Sequence, residues 1–408
     1  MTRWLWGKFL FVAAVAHLGV TGCSTPQRLP AVPMSAGLQA GPALGSLRFL
    51  VSRESESFAA EARSALAKEQ AWLGSQGRGS DLPPAYFLAI SGGGDNGAYG
   101  AGFLNGWTAA GTRPEFKVVT GISTGALIAP FAFVGPKYDH VLQTVYTSTA
   151  QKDIFKKRGL KALLFGDSMA DTRPLAKVIE SHVTREFLNE IATEYGKGRL
   201  LLVGTTNMDS LEPVIWNMTA IAASQDPRAV PLFRNILLAS ASIPGAFPPV
   251  MIDVNLNGAK YQEMHVDGGT IAQVFLYPPS VSTAGAPKRT RVAYIIRNAR
   301  LDPDWASTER RTMTIAMRAI DSLTRTQGIG DLYRIYSITQ RDGIDFNLTF
   351  IPPTFTVPHT EQFSTTYMRA LYDVGFEAAK AGYEWQKYPP GFEHPVRQPP
   401  EPAGTEAH

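Results

Sequence analysis

The 408-residue sequence has little of several features that mark particular protein classes. It holds one cysteine, which excludes an intramolecular disulfide and a cysteine-rich metal site. Charged residues make up 18% and hydrophobic residues 44%, a balance that excludes a disordered or coiled-coil protein. The formal net charge is only +4, and no basic run is dense enough to indicate nucleic acid as the main partner.

The first 22 residues have the pattern of an export signal. Arg3 and Lys8 supply basic charge, and the uncharged apolar stretch Phe9–Val20 is too short to span a bilayer. The four residues that end at Cys23 (VTGC) resemble the lipobox of bacterial lipoproteins, in which the cysteine is lipidated and becomes the new N-terminus. An ordinary secretory signal with a chance cysteine is the alternative.

The lipobox resemblance implies a lipid anchor at Cys23. A diacylglycerol and an additional acyl chain on this residue would make membrane attachment stable, since two or more chains are needed. Ser24 follows the cysteine instead of aspartate, which in such lipoproteins implies passage to the outer membrane, facing the periplasm.

Composition and periodicity divide the rest of the chain into three parts. Residues 23–47 contain Cys23 and a Pro-, Gly-, Ala- and Ser-rich segment that we predict to be a flexible tether. Residues 48–387 show no repeat or internal boundary and are predicted to form one domain. Residues 388–408 carry six prolines and are predicted to be a disordered tail.

Strand and helix patterns alternate through the predicted domain. Strands are predicted at 86–90, 116–120, 200–206, 214–217 and 292–296, and helices at 58–73, 172–195, 306–326 and 363–382. Further helices are predicted to end at Ala110 and to begin near Thr124. This alternation predicts a three-layer α/β fold with a central, mostly parallel sheet. The uncharged run 118–136 contains glycines and a proline that suit a buried strand-turn-helix better than a membrane span.

The first candidate motif is Gly121-Ile122-Ser123-Thr124-Gly125, a G-x-S-x-G match between a predicted strand and a predicted helix. A nucleophilic serine needs a tight turn that lifts its hydroxyl out of the sheet, and flanking glycines remove colliding side chains. The helix that follows directs its positive end at charge developing near the serine. An ordinary turn is the alternative interpretation.

The second candidate motif is the loop Ser91-Gly92-Gly93-Gly94-Asp95-Asn96-Gly97. Consecutive glycines let backbone N–H groups converge on a small anion. The loop also fits a dinucleotide-binding pattern, but the acidic residue expected at the end of the next strand is missing, since that strand runs into the Ser123 turn. An oxyanion hole explains both glycine-bearing turns; a tight turn without a ligand is the third interpretation.

The third candidate motif is Asp267-Gly268-Gly269, which closes the apolar-polar stretch 261–266. An acid at a strand end, followed by two glycines, can reach into a crevice while the chain turns away. Taken alone, this tripeptide is more often a simple turn.

Together the three motifs resemble those of patatin-like phospholipases in order and context. The resemblance covers roughly residues 85–300 and extends to two further segments, 205–213 and 239–249. It implies a patatin-like fold and a lipid acyl hydrolase that acts at a membrane surface through a Ser–Asp dyad, with no metal or cofactor. Phospholipid is favoured over neutral acylglycerol as the substrate, and the oligomeric state is not indicated.

Carried onto this chain, the resemblance implies that Ser123 is the nucleophile and Asp267 the general base. The oxyanion hole would be formed by Gly92, Gly93 and Gly94, and the other motif positions are Gly97, Gly121, Gly125, Gly268 and Gly269. Asn96 stands where the family often has Arg or Lys, which leaves oxyanion stabilisation to backbone N–H groups and the helix end.

Two alternatives compete with the Ser–Asp hydrolase. A Ser-His-Asp esterase needs a histidine after Asp267, and His359 is the candidate. A catalytically silent lipid-binding lipoprotein is the other, although the presence of both Ser123 and Asp267 speaks against it. A basic cluster at 152–161 is either a surface for anionic headgroups or a solvated charged face.

Overall fold

The structure is a computed structural model that describes residues 26–42, 45, 47–78, 81–159, 166–303, 305 and 307–392. The predicted export signal and the predicted lipidation site at Cys23 lie outside the described residues. Residues 393–408 of the predicted tail also lie outside them.

A nine-stranded mixed sheet dominates the fold, in the order β1-β7-β6-β3-β2-β10-β11, with β9 pairing with β6 and β8 with β9. A separate two-stranded pairing joins β4 and β5. The strands are β1 (Arg48–Leu50), β2 (Ala85–Ile90), β3 (Val118–Ile122), β4 (Lys156–Lys157), β5 (Ala170–Asp171), β6 (Leu200–Asn207), β7 (Glu212–Asn217), β8 (Val250–Leu256), β9 (Ala259–Asp267), β10 (Arg291–Arg297) and β11 (Asp345–Phe350).

The five strands β6, β3, β2, β10 and β11 run parallel, so their C-terminal ends meet at one side of the sheet. We call this side the carboxyl edge. The helices are α1 (Ser55–Ser75), α2 (Gly97–Ala109), α3 (Thr124–Val134), α4 (Asp139–Ser148), α5 (Gln151–Ile154), α6 (Arg173–His182), α7 (Arg185–Gly196), α8 (Met218–Ala223), α9 (Ala229–Ser240), α10 (Thr312–Asp342) and α11 (Thr365–Lys380).

Both faces of the sheet are covered by apolar side chains. The larger cluster packs α2, α3, α9 and α11 against one face, and a smaller cluster packs α1 and α10 against the other. Every residue of β6 is buried, as expected for a central parallel strand whose two faces are both covered. The predicted three-layer α/β fold with a mostly parallel sheet is confirmed.

The uncharged run 118–136 is core, as predicted. It forms β3 and α3, and nearly all of α3 is buried, including Pro130 inside the helix. Within the described part of the chain, no helix is both long and apolar enough to cross a membrane.

Two predicted helices have different bounds in the structure. The helix predicted at 172–195 is two helices, because Thr184 caps α7 by accepting a hydrogen bond from the Phe187 N–H at 3.3 Å. The helix predicted at 306–326 begins at Thr312 and continues to Asp342.

The described part of the predicted tether lies against the domain. Arg28 forms a bidentate ion pair with Asp209 at 2.7 Å, and Gly41 pairs with Asn255 of β8. Ala40 is buried. At the other end of the chain, the ring of Phe392 packs against Tyr333 and Tyr336 of α10, so the first residues of the predicted tail also contact the domain.

Candidate active site

Ser123 occupies a strained turn at the carboxyl edge, between β3 and α3. Its φ of 55° and ψ of −126° lie in a region that a residue with a side chain rarely adopts. A Cβ at Gly125 would lie 2.2 Å from the Ile90 carbonyl oxygen, so only glycine allows α3 to start this close to β2. The motif therefore sits in the strand-turn-helix context predicted for it.

A second serine holds this turn in place. The Ser123 N–H donates to the Ser240 Oγ at 3.0 Å, and the Ser240 hydroxyl donates to the Gly204 carbonyl at 2.7 Å. Ser240 is fully buried at the end of α9. It thus links the strained turn to β6.

Asp267 reaches Ser123 from the last position of β9. This strand pairs antiparallel with the end of β6, with Asp267 opposite Thr205. The Ser123 hydroxyl donates to Asp267 Oδ2 at 2.6 Å, and the Gly269 N–H donates to Asp267 Oδ1 at 2.7 Å. The structure therefore brings two side chains 144 positions apart into direct contact.

Burial raises the pKa of Asp267 to about 7. The hydrogen bonds from Ser123 and Gly269 favour the charged carboxylate, but the loss of solvent around the buried side chain outweighs them. A carboxylate with this pKa is well matched to accept and return a proton near neutral pH.

The glycine loop lies beside Ser123. A Cβ at Gly92 would be 3.2 Å from the Ser123 Cβ. Gly93 has a φ of 155°, and a Cβ there would lie 2.2 Å from the Asn298 carbonyl oxygen, so this position requires glycine. Glycine at these two positions therefore allows the loop to lie this close to Ser123 and Asn298.

The prediction that Gly92 is an oxyanion donor needs correction. Its N–H already donates to the Gln273 carbonyl at 2.9 Å, so it is not available to an anion in this arrangement. The N–H groups of Gly93 and Gly94 donate to no acceptor among the described residues. Thr124 begins α3, so its N–H has no partner within that helix, and sequence reasoning did not consider it as a candidate donor.

Asn298 is a supporting residue that sequence reasoning also missed. It is fully buried directly after β10. Its N–H donates to the Ser91 Oγ at 2.8 Å, its Nδ2 donates to the Ser91 carbonyl at 2.9 Å, and its Oδ1 accepts from the Gly100 N–H. A polar residue at the end of an apolar strand is the only signal in the sequence.

The other side of the glycine loop is fixed by the segment between β11 and α11. The Asp95 carboxylate accepts from His359 Nε2 and from the Phe363 N–H, both at 2.7 Å. The Asn96 Oδ1 accepts from the Tyr367 hydroxyl at 2.7 Å. His359 is thus paired with an acid of the glycine loop, while Ser123 binds Asp267 directly.

His265, two residues before Asp267, is a buried packing group. Its ring lies against Trp216, Nδ1 is 2.9 Å from the Thr205 Oγ1, and Nε2 is 3.2 Å from Glu263. Burial lowers its pKa, in spite of the neighbouring carboxylate.

An apolar cavity opens at Ser123. Gly94, Ser123 and Thr124 form its polar end. Its walls are apolar side chains of α3, α4, α6 and α9, with Phe247 and Phe363. An apolar cavity with a few polar groups at one end is typical of small-molecule sites.

The basic cluster borders this cavity. Lys152, Lys156 and Lys157 are exposed, Arg158 donates to Asp167, and the rest of the cluster, including Lys161, lies outside the described residues. Ile154, between the lysines, lines the cavity. Within the described residues, no group of three or more His, Cys, Asp or Glu could hold a metal ion.

Residues 88–278 match the sequence model of the patatin-like phospholipase family. This segment is a patatin-like phospholipase domain. The match begins in β2 and ends after Asp267, so it contains all three motifs. No curated protein matches the chain significantly.

Solved structures similar to the chain include a bacterial protein, a human protein and a bacterial effector. VipD from Legionella pneumophila has 13% identity and a TM-score of 0.31, and the match covers 74% of this chain and 68% of VipD. Human GIVD cytosolic phospholipase A2 has 12% identity and a TM-score of 0.32, with 76% and 55% covered. ExoU from Pseudomonas aeruginosa has 12% identity and a TM-score of 0.28, with 73% and 52% covered.

Proposed function

We propose that the protein hydrolyses carboxylic esters of lipids, with Ser123 as the nucleophile and Asp267 as the general base. The patatin-like phospholipase domain supports a lipid acyl hydrolase. The observation that carries the Ser–Asp assignment is the 2.6 Å hydrogen bond between the Ser123 hydroxyl and the Asp267 carboxylate.

In the first half of the reaction, Asp267 takes the proton of the Ser123 hydroxyl as Oγ attacks the ester carbonyl carbon. The carbonyl oxygen becomes an oxyanion, which the N–H groups of Gly93, Gly94 and Thr124 stabilise together with the positive end of α3. Collapse of this intermediate breaks the ester bond, and the leaving alcohol takes the proton from Asp267.

In the second half, water attacks the acyl group on Ser123. Asp267 accepts one proton from this water, and the second oxyanion is stabilised by the same three N–H groups. Its collapse releases the fatty acid, and Ser123 recovers its proton from Asp267. Both steps use one carboxylate as an acceptor and then a donor, which suits a pKa of about 7.

The cavity is the binding site for the acyl chain in this proposal. Its walls are almost entirely apolar, and Ser123 and Gly94 are among the residues that line it. A phospholipid is the proposed substrate, with the acyl chain in the cavity and the polar headgroup outside it.

We further propose that Cys23 carries a lipid anchor and that the protein resides at the outer membrane, facing the periplasm. The VTGC sequence that ends at Cys23 and Ser24 after it support this location. Metabolic labelling with an alkyne fatty acid should mark the wild-type chain and leave Cys23→Ser unlabelled.

The test of the hydrolase compares purified variants on a soluble short-chain ester. Ser123→Ala and Asp267→Asn should each lower the rate by at least about 1,000-fold, and His359→Ala should retain the Ser–Asp dyad and most of the rate. If His359→Ala alone abolishes hydrolysis, the dyad is wrong. A fluorophosphonate should label Ser123, and failure of a well-folded wild-type sample to label would favour the silent lipid-binding protein.

A further inference from the structure

The N-terminal half of α10 extends beyond the body of the domain. A Cβ at Gly328 would collide with the guanidinium of Arg297, the last residue of β10, so Gly328 is level with the carboxyl edge. The helix then runs antiparallel to the strands to Asp342, just before β11 begins. Residues 312–326, which we call the projecting segment, therefore reach about 24 Å past the carboxyl edge at 1.5 Å per residue.

The projecting segment is amphipathic. Ile315, Ala319 and Leu323 recur every four residues and form one stripe, with Ile320 beside it. Their apolar surface is not covered by the domain, since Ile315 is 52%, Ile320 51% and Leu323 70% exposed. An apolar helical stripe in water needs an explanation.

Arginines occupy the opposite side of the same helix. Arg311, Arg318 and Arg325 recur every seven residues, about two turns, and so follow a second stripe away from Leu323. Trp305, which precedes the helix, is 87% exposed. A helix with apolar side chains on one side and three arginines on the other, preceded by an exposed tryptophan, has the composition of an element that lies in a lipid interface.

Other exposed apolar side chains lie at the same edge. Leu211 is in the turn after β6, Ile243 lines the cavity, and Val357 is in the segment after β11. Ser123 and the polar end of the cavity also lie at this edge. Exposed apolar side chains thus lie at the same edge of the sheet as Ser123.

The N-terminal segment reaches this edge independently. Arg28 is hydrogen-bonded to Asp209, which follows the C-terminal end of β6. In the sheet, β6 lies three strands from β10, or about 14 Å at the usual strand spacing. A lipid on Cys23, five residues before Arg28, would therefore keep the projecting segment near the membrane.

From these contacts we infer that the projecting segment docks on an anionic lipid surface, with Ile315, Ile320 and Leu323 in the acyl boundary and the arginines on the headgroups. This inference rests on the proposed function, because it delivers lipid to the opening beside Ser123. The cationic side chains attract anionic headgroups electrostatically, and salt screens this attraction, so binding should weaken as the salt concentration rises.

Flotation with lipid vesicles tests the docking. The full chain carries Cys23→Ser and Ser123→Ala, so neither an anchor nor hydrolysis contributes, and vesicles contain phosphatidylglycerol and phosphatidylcholine or phosphatidylcholine alone. Adding Ile315→Glu and Leu323→Glu should weaken binding to the anionic vesicles at least tenfold. Ala284→Glu with Ala286→Glu, before β10 at the opposite edge, adds the same charge to exposed positions and should leave binding unchanged.

A fluorescent label reports the position of the helix directly. In the Cys23→Ser background, the dye NBD on Ala319→Cys should brighten and shift to the blue with anionic vesicles, while the dye on Ala284→Cys should not. An unresponsive label at 319, or equal binding by the two double-glutamate variants, would overturn the inference.

Two further outcomes also decide the matter. If the chain is a dimer that Ile315→Glu with Leu323→Glu dissociates, a second copy covers this stripe and the lipid assignment is wrong. Hydrolysis of a monomeric short-chain ester by the Ile315→Glu, Leu323→Glu variant with Ser123 intact should equal wild type. That assay reports the proposed chemistry alone, so failure of docking and failure of the hydrolase are distinguishable.

Discussion

Replacing Asp267 with asparagine should stabilise the fold above neutral pH while removing the base. The buried carboxylate has a pKa of about 7 in the folded chain, against an ordinary value of 3.8. A raised pKa means that the folded state favours the protonated acid, so ionisation of Asp267 weakens folding. At 1.36 kcal/mol per pKa unit, the full difference is about 4 kcal/mol.

The sign of this effect gives the pH window. The protonated acid contributes its full stability below pH 3.8, and this contribution is lost as the pH rises to about 7. Above that pH the folded wild-type chain is destabilised by the full free energy of burying the ionised carboxylate. Asparagine has no charge at any of these pH values, so the stabilisation by Asp267→Asn should grow with pH and then level off.

Urea unfolding at about pH 5 and about pH 8 measures this difference. The free energy of unfolding of Asp267→Asn, relative to wild type, should increase by roughly 3 kcal/mol between the two pH values. Asp373→Asn, on an exposed position of α11, is the matched control. A free-energy difference between the two chains that is the same at both pH values would refute the assignment of a raised pKa.

The rate of ester hydrolysis should rise with pH and level off above an apparent pKa of about 7, because only the ionised carboxylate of Asp267 accepts the serine proton; a flat pH profile contradicts this. Gly93→Ala should lower kcat by about 100-fold or more, since the new Cβ meets the Asn298 carbonyl and displaces an oxyanion donor. Unchanged kinetics in a folded variant would contradict the role of the Gly93 N–H in the oxyanion hole. Ile179→Trp, in the cavity wall, should slow hydrolysis of long-chain esters while sparing short-chain esters, and equal losses on both would argue against an acyl site there.

The residues that could be predicted from the sequence are those with local signatures. Ser123 lies between two glycines that its turn requires, and Asp267 precedes two glycines at a strand end. The order of the three motifs resembles one family, so their proximity in space follows from that resemblance. The strand and helix alternation likewise predicted the layers of the fold.

Residues whose role depends on distant partners could not be predicted. Ser240 and Asn298 act through contacts with segments more than 100 positions away. The occupation of the Gly92 N–H by Gln273 is equally invisible in the sequence.

Local propensity also misled in both directions. Glycines weaken a helical pattern, so the continuation of α10 through Gly328 was missed; in the structure the Arg297 guanidinium packs against this glycine. The composition of residues 23–47 favours a flexible chain, yet Arg28 finds a partner 181 positions later.

The wide separation of the dyad has a consequence for a chain that is still on the ribosome. The nucleophile emerges 144 positions ahead of the group that activates it, and the two meet only after β9 has paired with β6. A nascent polypeptide that exposes Ser123 therefore has no means of activating it. Synthesis of this protein should leave the lipids of the producing compartment intact until the central sheet is complete.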